Sequence, residues 1–579
     1  MKLLPLELAR TVEAAIRAAQ QAGDLPVFDV PEVKVSAPKR ADQGDYAASI
    51  AMQLAKSAAM PPAQIAANIV KHLKTPQTVG SVETAGGYIN FRLDEWWLRA
   101  QVEALIHEGA DGAVIDNGAG KRAQVEFVSA NPTGPLHIGR SRGAMVGDAM
   151  ARVLEAAGYA VEREYYFNNA GQQMTNLAHS MRFRYFEALG LSALPDDLDA
   201  KGEPYYKGAY LADFAQALAE QHGDGWKTAD LKAFKEYAET RMFAMIKATL
   251  ERVDIHHDVF FNENSLYESG AVWDILARLE AKGYIYRAAL PEVDAATADA
   301  ATAEGEDAGD GKGEATWFRT HRFGDKKDRV LVKASGEPTY TLPDIAYHVN
   351  KLERGFDVCV NILGADHFIQ HQVVKYGLRA LDLDAEKIHV ILVQIVHLLK
   401  DGEQVKISTR KGNIETLDDL IDQTSADAVR YMLLARSADA QMNFDLDLAV
   451  KQSSDNPVYY IQYAYVRCAG IFREAAARGV TDEDADLAHL GAAELKFLRR
   501  AMQLPDVIDL AARTFEPHQV AFYALDMANL FHPVFDTVRV LHSDVPPEVA
   551  KARLRFFRAA QVVFKRLLNL MGMAAPDHM

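Results

Sequence analysis

The segment Asn131–Arg140 (NPTGPLHIGR) combines phosphate-binding residue types with glycines. His137 can donate a hydrogen bond to a phosphate oxygen, and Arg140 adds a permanent positive charge three residues later. Gly134 and Gly139 allow the backbone to approach a ligand closely. A helix that begins at such a turn offers N–H groups and a partial positive charge to an anion. The spacing indicates a nucleotide-binding turn; the alternative is a tight turn with a surface histidine.

A second basic segment, Val405–Asn413 (VKISTRKGN), lies more than 260 residues downstream. Lys406, Arg410 and Lys411 cluster there beside a glycine. A loop of this composition can close on a triphosphate and neutralise the charge that develops on a leaving pyrophosphate. The alternative for this segment is a solvated basic loop.

The elements around the turn follow a strand, turn, helix, strand order. QVEFVSAN is typical of a buried strand, SRGAMVGDAMARVLEAAGY repeats its apolar residues at helical spacing, and AVEREYYF alternates like a second strand. This order is a βαβ unit and predicts a parallel sheet, which resumes with FDVCVNILGAD and KIHVILVQIVHLL. We expect a doubly wound, Rossmann-like α/β domain with its ligand at the carboxyl ends of the strands.

We expect this catalytic α/β domain to occupy residues 120–450. It follows an N-terminal α+β domain at 1–119 and precedes an all-α helical bundle at 451–579. Within it, residues from about 170 to 280 are predicted to form a mostly helical insertion. Residues 288–316 are rich in Ala, Asp, Glu and Gly and predict a flexible acidic insertion.

The composition is that of a soluble globular protein, with 25% charged residues and no apolar run long enough to span a bilayer. The net charge of −17 disfavours a polyanionic partner on most of the surface, although the basic run Lys551–Arg566 contains no acidic residue. Cys359 and Cys468 lie too far apart to suggest a disulfide framework or a zinc site. We expect a cytoplasmic protein.

The two basic segments together resemble the signature motifs of class I aminoacyl-tRNA synthetases. HIGR resembles their HIGH motif, and KISTRKGN resembles their KMSKS loop. Longer segments resemble bacterial arginyl-tRNA synthetases over nearly the whole chain except the acidic insertion. These segments are RADQGDYAASIAMQLAK, VEFVSANPTGPLHIGRSRG, YFNNAGQQM, TYTLPDIAYH, NPVYYIQYAYVR and LLNLMGMAAPDHM.

The resemblance implies a ligase that activates L-arginine with ATP and Mg²⁺ to form arginyl-adenylate. The enzyme then transfers arginine to the 3′ end of the tRNA specific for arginine, and commonly needs that tRNA before it forms the adenylate. The resemblance also implies a monomer, with an N-terminal tRNA-contacting domain and a C-terminal anticodon-binding domain. We expect no membrane association and no tightly bound protein metal.

The resemblance assigns site residues in three groups. The residues implied in arginine binding are Glu126, Ser129, Asn131, Tyr340, Asp344 and Asp366. Those implied in ATP binding and catalysis are Pro132, Gly134, His137, Gly139, Arg140, Lys406, Ser408, Arg410 and Lys411. Those implied in tRNA binding are Tyr459, Tyr463, Arg553, Arg555 and Arg558. Carboxylates in fixed geometry suit a planar, permanently charged guanidinium.

The chain departs from the family pattern at two positions. Arg140 stands where the turn usually has a second histidine, and Thr409 stands where the loop usually has a second lysine. Our hypothesis is that Arg140 contacts phosphate and that Arg410 or Lys411 replaces the missing lysine. Two alternatives stay open: a nucleotidyltransferase that acts on a small molecule, and a degenerate synthetase that binds tRNA or arginine without catalysis.

Overall fold

The computed structural model describes residues 2–38, 40–112, 114–191, 197–199, 204–289, 313–405 and 416–579. These residues form two compact units. The first contains Met1–Ala119, Glu155–Gly158 and Lys451–Met579, and the second contains Gly120–Leu154 and Tyr159–Val450.

The N-terminal part of the first unit is a four-stranded antiparallel sheet with helices, as expected for an α+β domain. Its strands are β1 (Val35–Ser36), β2 (Tyr46–Ala48), β3 (Val79–Ala85) and β4 (Tyr88–Leu93), in the order β1-β2-β4-β3. Its helices are α1 (Leu4–Gln21), α2 (Ile50–Ala58), α3 (Pro62–Lys71) and α4 (Glu95–Glu108). Ile89, Phe91 and Leu93 alternate along β4 and are buried, which gives this sheet one core face.

The second unit is built on a five-stranded parallel sheet. The strands of the whole unit, which also contains two three-stranded sheets, are in chain order β5 (Arg122–Glu126), β6 (Ala160–Phe167), β7 (Val259–Asn262), β8 (Ile285–Ala289), β9 (Glu314–Phe318), β10 (Arg329–Val332), β11 (Val358–Gly364), β12 (Ile388–Val393), β13 (Val396–Lys400), β14 (Glu403–Val405) and β15 (Met442–Asp445). The parallel sheet has the order β12-β11-β5-β6-β7. The order reverses beside β5, which is the position where doubly wound sheets bind ligands.

Helices of the second unit connect these strands. They are α5 (Ile138–Ala156), α6 (Gly171–Ala188), α7 (Ala209–His222), α8 (Leu231–Glu251), α9 (Asn264–Glu268), α10 (Ala271–Ala281), α11 (Thr341–Glu353), α12 (Phe368–Ala380), α13 (Leu417–Gln423), α14 (Ala426–Leu434) and α15 (Leu446–Ala449). Helix α5 returns the chain from β5 to β6. Gly147 on α5 packs directly on Phe127, and a Cβ at this position would overlap that ring, so a glycine lets the helix lie close to the end of β5.

Two sequence expectations change in this unit. The acidic insertion is shorter than predicted, because Ala288 and Ala289 pair with Ala315 and Glu314 in an antiparallel ladder between β8 and β9. Residues 290–312 lie outside the described residues. The region from about 170 to 280 is mostly helical, but it also contains β7, the fifth strand of the parallel sheet, which helical periodicity did not indicate.

The C-terminal part of the first unit is a helical bundle, as expected. Its helices are α16 (Pro457–Ala477), α17 (Ala492–Ala501), α18 (Leu504–Thr514), α19 (His518–Thr537) and α20 (Pro547–Met571). Phe531 on α19 lies 5.1 Å from Phe564 on α20, measured between ring centroids, inside the bundle core. In the same unit, the Tyr46 hydroxyl donates a 2.7 Å hydrogen bond to Asp506. Among the described residues, no helix is long and apolar enough to cross a membrane.

Candidate active site

Polar residues lie at the carboxyl ends of the strands in the parallel sheet. Glu126 ends β5, Asn168 follows β6, and Glu263 follows β7. A short turn, Ala365–His367, follows β11. Because all these strands are parallel, their carboxyl ends share one edge of the sheet, so polar side chains from separate parts of the sequence meet there.

The chain leaves β5 through a strained turn. Val128 and Ser129 have φ angles of 69° and 44°, in the left-handed region that costs a non-glycine residue about 1–3 kcal/mol. The Ser129 hydroxyl donates to Glu126 Oε1 at 3.1 Å and accepts from the Tyr166 amide at 3.2 Å. Strain of this kind persists where surrounding contacts enforce it, and here these two hydrogen bonds do so.

Asn131 is held in the turn from both ends of its amide. Its Oδ1 accepts from the Asn168 amide at 3.0 Å, and its Nδ2 donates to Gln173 Oε1 at 3.1 Å. These bonds connect the turn to the first turn of α6. The side chain is therefore ordered in position beside the sheet edge.

His137 is exposed at the start of α5. Its Nδ1 accepts a 3.0 Å hydrogen bond from the Gly139 amide, so the proton of the neutral imidazole lies on Nε2, which can donate to a ligand. The backbone at His137 forms an isolated bridge with Thr416, and the Leu417 amide donates to Leu136 O at 2.9 Å. The turn is thus joined to the residues that follow the basic loop.

The other turn residues differ in exposure. Pro132 is buried, whereas Gly139 and Arg140 are exposed. A Cβ on Gly134 would lie 3.4 Å from the Tyr210 hydroxyl, in van der Waals contact with it. Within the described residues, the Arg140 guanidinium forms no hydrogen bond or ion pair, so no local carboxylate in this set neutralises it.

Asp344 lies in the first turn of α11 and is partly buried. The Gln370 amide donates a hydrogen bond to its Oδ2. Burial, reinforced by the charges of Glu263 and Glu126, raises the pKa of Asp344 to about 8. The carboxyl is therefore mostly protonated at neutral pH. A bound cation would favour its ionised form.

Tyr340 precedes α11 by one residue and is 70% exposed. Its carbonyl accepts from the Asp344 amide at 3.3 Å, the bond expected between residues four apart on one helical face. Tyr340 is exposed whereas Asp344 is partly buried, and contact of both side chains with one ligand stays a prediction.

Sequence reasoning missed two polar residues of the pocket. Glu263 is buried and accepts from the Tyr166 hydroxyl at 2.6 Å and from Asn168 Nδ2 at 2.8 Å. Burial raises the pKa of Glu263. Gln370, on α12, is the partner of Asp344. A glutamate just after the apolar run VFFN was the available signal for Glu263, but it required that run to be identified as a strand.

Several predicted site residues cannot be placed. Lys406, Ser408, Thr409, Arg410 and Lys411 lie outside the described residues. The backbone of Asp366 lies in the short turn after β11, but its side chain is also outside the described set.

Comparisons with known proteins agree over the full chain. The catalytic-domain model of class I tRNA synthetases for arginine matches residues 101–445. The arginyl-tRNA synthetase N-terminal domain model matches 6–93, and the DALR anticodon-binding domain model matches 461–579.

A relative named arginine–tRNA ligase from Geobacillus thermodenitrificans is 40% identical over 573 residues, 97% of each chain. One of the same name from Chlorobium phaeobacteroides is 42% identical over 564 residues, 94% of this chain and 96% of that one. The chain belongs to the arginyl-tRNA synthetases.

Solved structures of this family share the fold. A putative arginyl-tRNA synthetase from Campylobacter jejuni has a TM-score of 0.70 at 30% identity and covers 84% of this chain and 100% of its own. The Thermus thermophilus arginyl-tRNA synthetase has a TM-score of 0.72 at 21% identity and covers 99% of this chain and 100% of its own. At 21% identity, the second likeness supports the fold alone.

The aromatic residues predicted to bind tRNA cluster on α16. Tyr459 and Tyr463 stack with ring centroids 5.6 Å apart and remain partly exposed. His532 stacks on Tyr463 at 5.8 Å, and the Arg467 guanidinium lies 4.8 Å from the Tyr463 ring centre. An aromatic surface of this kind suits stacking on unpaired bases.

The arginines predicted to bind tRNA on α20 already have partners. Arg553 pairs with Glu494 at 3.3 Å, Arg555 with Glu103 at 2.5 Å, and Arg558 with Asp482 at 2.7 Å. The sequence interpretation of Lys551–Arg566 as a basic surface did not foresee this, because the carboxylates come from distant segments. Contact of these arginines with tRNA stays a prediction.

Proposed function

We propose that this chain is an arginine–tRNA ligase. It activates L-arginine with ATP to arginyl-adenylate and pyrophosphate, then transfers arginine to the 3′ end of the tRNA specific for arginine. One observation carries the proposal: three acidic groups, Glu126, Glu263 and Asp344, converge beside the signature turn at the carboxyl edge of the parallel sheet. A site so rich in buried carboxyls suits a cationic side chain and leaves unpaired charge with a neutral one.

Arginine recognition follows from this charge distribution. Glu126, Tyr340 and Asp344 hold the guanidinium, and Asp366 stands close to the substrate. Asn131, with the backbone of Ser129, holds the α-amino group. The bonds that Asn131 makes to Asn168 and Gln173 support this role, because they orient its amide before the substrate arrives.

ATP binds along the turn and the basic loop. The residues that contact it are Pro132, Gly134, His137, Gly139, Arg140 and Ser408. Lys406, Arg410 and Lys411 neutralise the leaving pyrophosphate. Mg²⁺ arrives with ATP, held mainly by phosphate oxygens and water. The described residues contain no group of three or more His, Cys, Asp or Glu side chains that could hold a metal ion.

The two steps are substitutions that the protein assists by position and charge. In the first, an arginine carboxylate oxygen bonds to the α-phosphorus, and the bond from that phosphorus to the pyrophosphate oxygen breaks. His137 donates from Nε2 to a phosphate oxygen as its charge rises, and Arg140 adds a cation there. In the second, a hydroxyl oxygen of the terminal tRNA ribose bonds to the activated carbonyl carbon, and the bond from that carbon to the AMP phosphate oxygen breaks. The hydroxyl proton passes to the departing phosphate or to solvent.

The tRNA contacts use both ends of the chain. Residues 1–119 form the tRNA-contacting N-terminal domain, 120–450 the catalytic domain, and 451–579 the anticodon-binding domain. Tyr459 and Tyr463 stack on anticodon bases, and Arg553, Arg555 and Arg558 contact the RNA backbone weakly, because each already pairs with a carboxylate. The enzyme acts as a monomer in the cytoplasm.

Arginine-dependent exchange between ATP and labelled pyrophosphate tests this function. We expect exchange with arginine when tRNA specific for arginine is present, and none when lysine replaces arginine. Exchange that needs no amino acid, or that accepts lysine equally, would contradict the proposal. Binding of tRNA and arginine without any exchange would favour the degenerate synthetase, whose signal is the altered pair Arg140 and Thr409.

A further inference from the structure

Lys351 is a fully buried lysine on α11, next to the carboxyls of the pocket. Its Nζ donates to Glu126 Oε2 at 2.7 Å and to Asn361 Oδ1 at 2.7 Å. Its Nζ also lies 4.3 Å from the centre of the Tyr347 ring, a cation–π distance. These contacts occupy the ammonium on its buried sides, so Lys351 acts on neighbouring groups rather than on a ligand.

Glu126 connects Lys351 to the strained turn at Val128 and Ser129. One carboxylate oxygen accepts from Lys351, and the other accepts from the Ser129 hydroxyl at 3.1 Å. Ser129 is one of the two residues with a left-handed backbone that lead toward Asn131. A glutamate fixed at both oxygens can hold that backbone, whereas a glutamate without Lys351 would be a buried charge with no cation beside it.

The other two carboxyls of the pocket differ from Glu126. Glu263 accepts from the neutral groups of Tyr166 and Asn168, and Asp344 accepts from the neutral amide of Gln370. Within the described residues, neither forms an ion pair with a lysine or arginine. Of the three carboxyls, Glu126 is therefore the one that pairs with an ammonium among the described residues, and this pair holds its carboxylate in place.

We propose that Lys351 is a positioning residue for arginine recognition. It neutralises Glu126 and, through Glu126 and Ser129, fixes the turn that receives the amino-acid backbone. Held in this way, Glu126 presents a carboxylate of fixed position to the substrate guanidinium, beside the carboxyl of Asp344. This inference rests on the proposed function and deepens it, because Lys351 serves arginine binding and not ATP binding.

Lys351→Met in the full-length protein tests the proposal in the exchange assay with saturating tRNA. We expect the KM for arginine to rise at least about tenfold, as when a buried charge loses its partner, while the KM for ATP changes less than about threefold. The matched control is Lys282→Met, which breaks an exposed lysine pair with Asp382 in the same unit and leaves both KM values unchanged. An unchanged arginine KM, or equal rises in both KM values, would overturn the proposal.

The double variant Lys351→Met with Glu126→Gln separates positioning from folding. It removes both charges together, so no buried charge is left unpaired if the single variant fails to fold. Since Lys351 acts through Glu126, the arginine KM of the double variant stays within about threefold of Glu126→Gln alone. Independent effects that multiply would overturn the proposal. If the unaltered protein shows no arginine-dependent exchange, the proposed function fails first, and the Lys351 variants are not the cause.

Discussion

The pocket at the sheet edge and the last helix of the bundle differ in whether their charged side chains have a partner of opposite charge. In the pocket, the hydrogen-bond donors to Asp344 and Glu263 among the described residues are neutral, and the pKa values of both carboxyls are raised mainly by burial. On α20, Arg555 and Arg558 share the carboxylate of Asp482, and hydrogen bonds from Arg558 and Arg555 help to hold the pKa of that carboxyl below its ordinary value.

We interpret this difference as one between carboxyls that bind a cationic substrate and ion pairs that stabilise the fold. A buried carboxyl without a cation destabilises the empty protein, and a cationic ligand removes that cost. An arginine that already shares a carboxylate gains little from a phosphate, because it must first give up its partner. The sequence shows that both regions contain charged residues. The structure shows which of these residues have a partner of opposite charge, and this distinguishes the two regions.

Asp344→Asn should have the largest effect and would test the pocket side of this comparison. It keeps the shape and the Gln370 contact but removes the charge that arginine needs. We expect kcat/KM for arginine in pyrophosphate exchange to fall about 100-fold, or about 2.7 kcal/mol. Glu353→Gln, at the exposed end of the same helix, is the control and should be unchanged. Full activity in Asp344→Asn would remove the main reason for assigning the pocket to arginine.

Arg140→Ala tests whether Arg140, an exposed arginine that has no partner among the described residues, binds substrate. Our hypothesis gives Arg140 a phosphate contact at the start of α5. We expect the rate of adenylate formation, measured in single turnover with tRNA bound, to fall at least about tenfold, or about 1.4 kcal/mol. Arg184→Ala, which breaks a surface pair with Glu187, is the matched change. A rate equal to that of the unaltered protein would show that Arg140 points to solvent and does not contact phosphate.

Arginine affinity should depend on pH through Asp344. The empty-pocket pKa of about 8 reflects burial and then Glu263 and Glu126, opposed by the Gln370 hydrogen bond and Lys351. Arginine binding ionises this carboxyl and releases a proton. The Kd should therefore fall as pH rises, by up to about tenfold per unit, and level off above pH 8.

Calorimetry at several pH values measures this dependence, and buffers of different ionisation enthalpy count the proton released. The folding stability of the protein should instead decrease as pH rises. Because the folded pKa of Asp344 is raised, its contribution to folding stability declines as pH increases between the unfolded value of 3.8 and about 8. A Kd that is flat between pH 6 and 8 would show that Asp344 is already ionised in the empty pocket.

Most of the architecture followed from local pattern. The βαβ unit, from β5 through α5 to β6, was predictable because alternation, helical spacing and the glycine turn are adjacent in the sequence. Strand β7 was not, because VFFN is four residues long and lies between helices. It pairs with β6, and that pairing depends on contacts almost 100 residues apart.

The same limit applies to the site. Glu126, Asn131 and Asp344 carried motif signals and could be proposed from the sequence. Glu263 could not, because it depends on β7. The partners of Arg555, in turn, are Glu103 and Asp482, which come from other segments of the chain. Sequence indicates which charges exist, whereas the fold decides which of them are neutralised.

Arg558→Ala has the smallest expected effect and tests the bundle side of the comparison. Arg558 is 40% exposed and forms two hydrogen bonds to Asp482, so its loss should lower the free energy of unfolding by about 1 kcal/mol. The KM for tRNA should change less than about twofold. Asp482→Asn is the matched variant: it also destabilises the bundle, but it frees Arg558 from its carboxylate, while Arg555 keeps its pair with Glu103, and it should strengthen tRNA binding at low salt. If Arg558→Ala instead raises the KM for tRNA about tenfold without loss of stability, paired arginines also bind RNA, and the distinction between paired and unpaired charge fails at this helix.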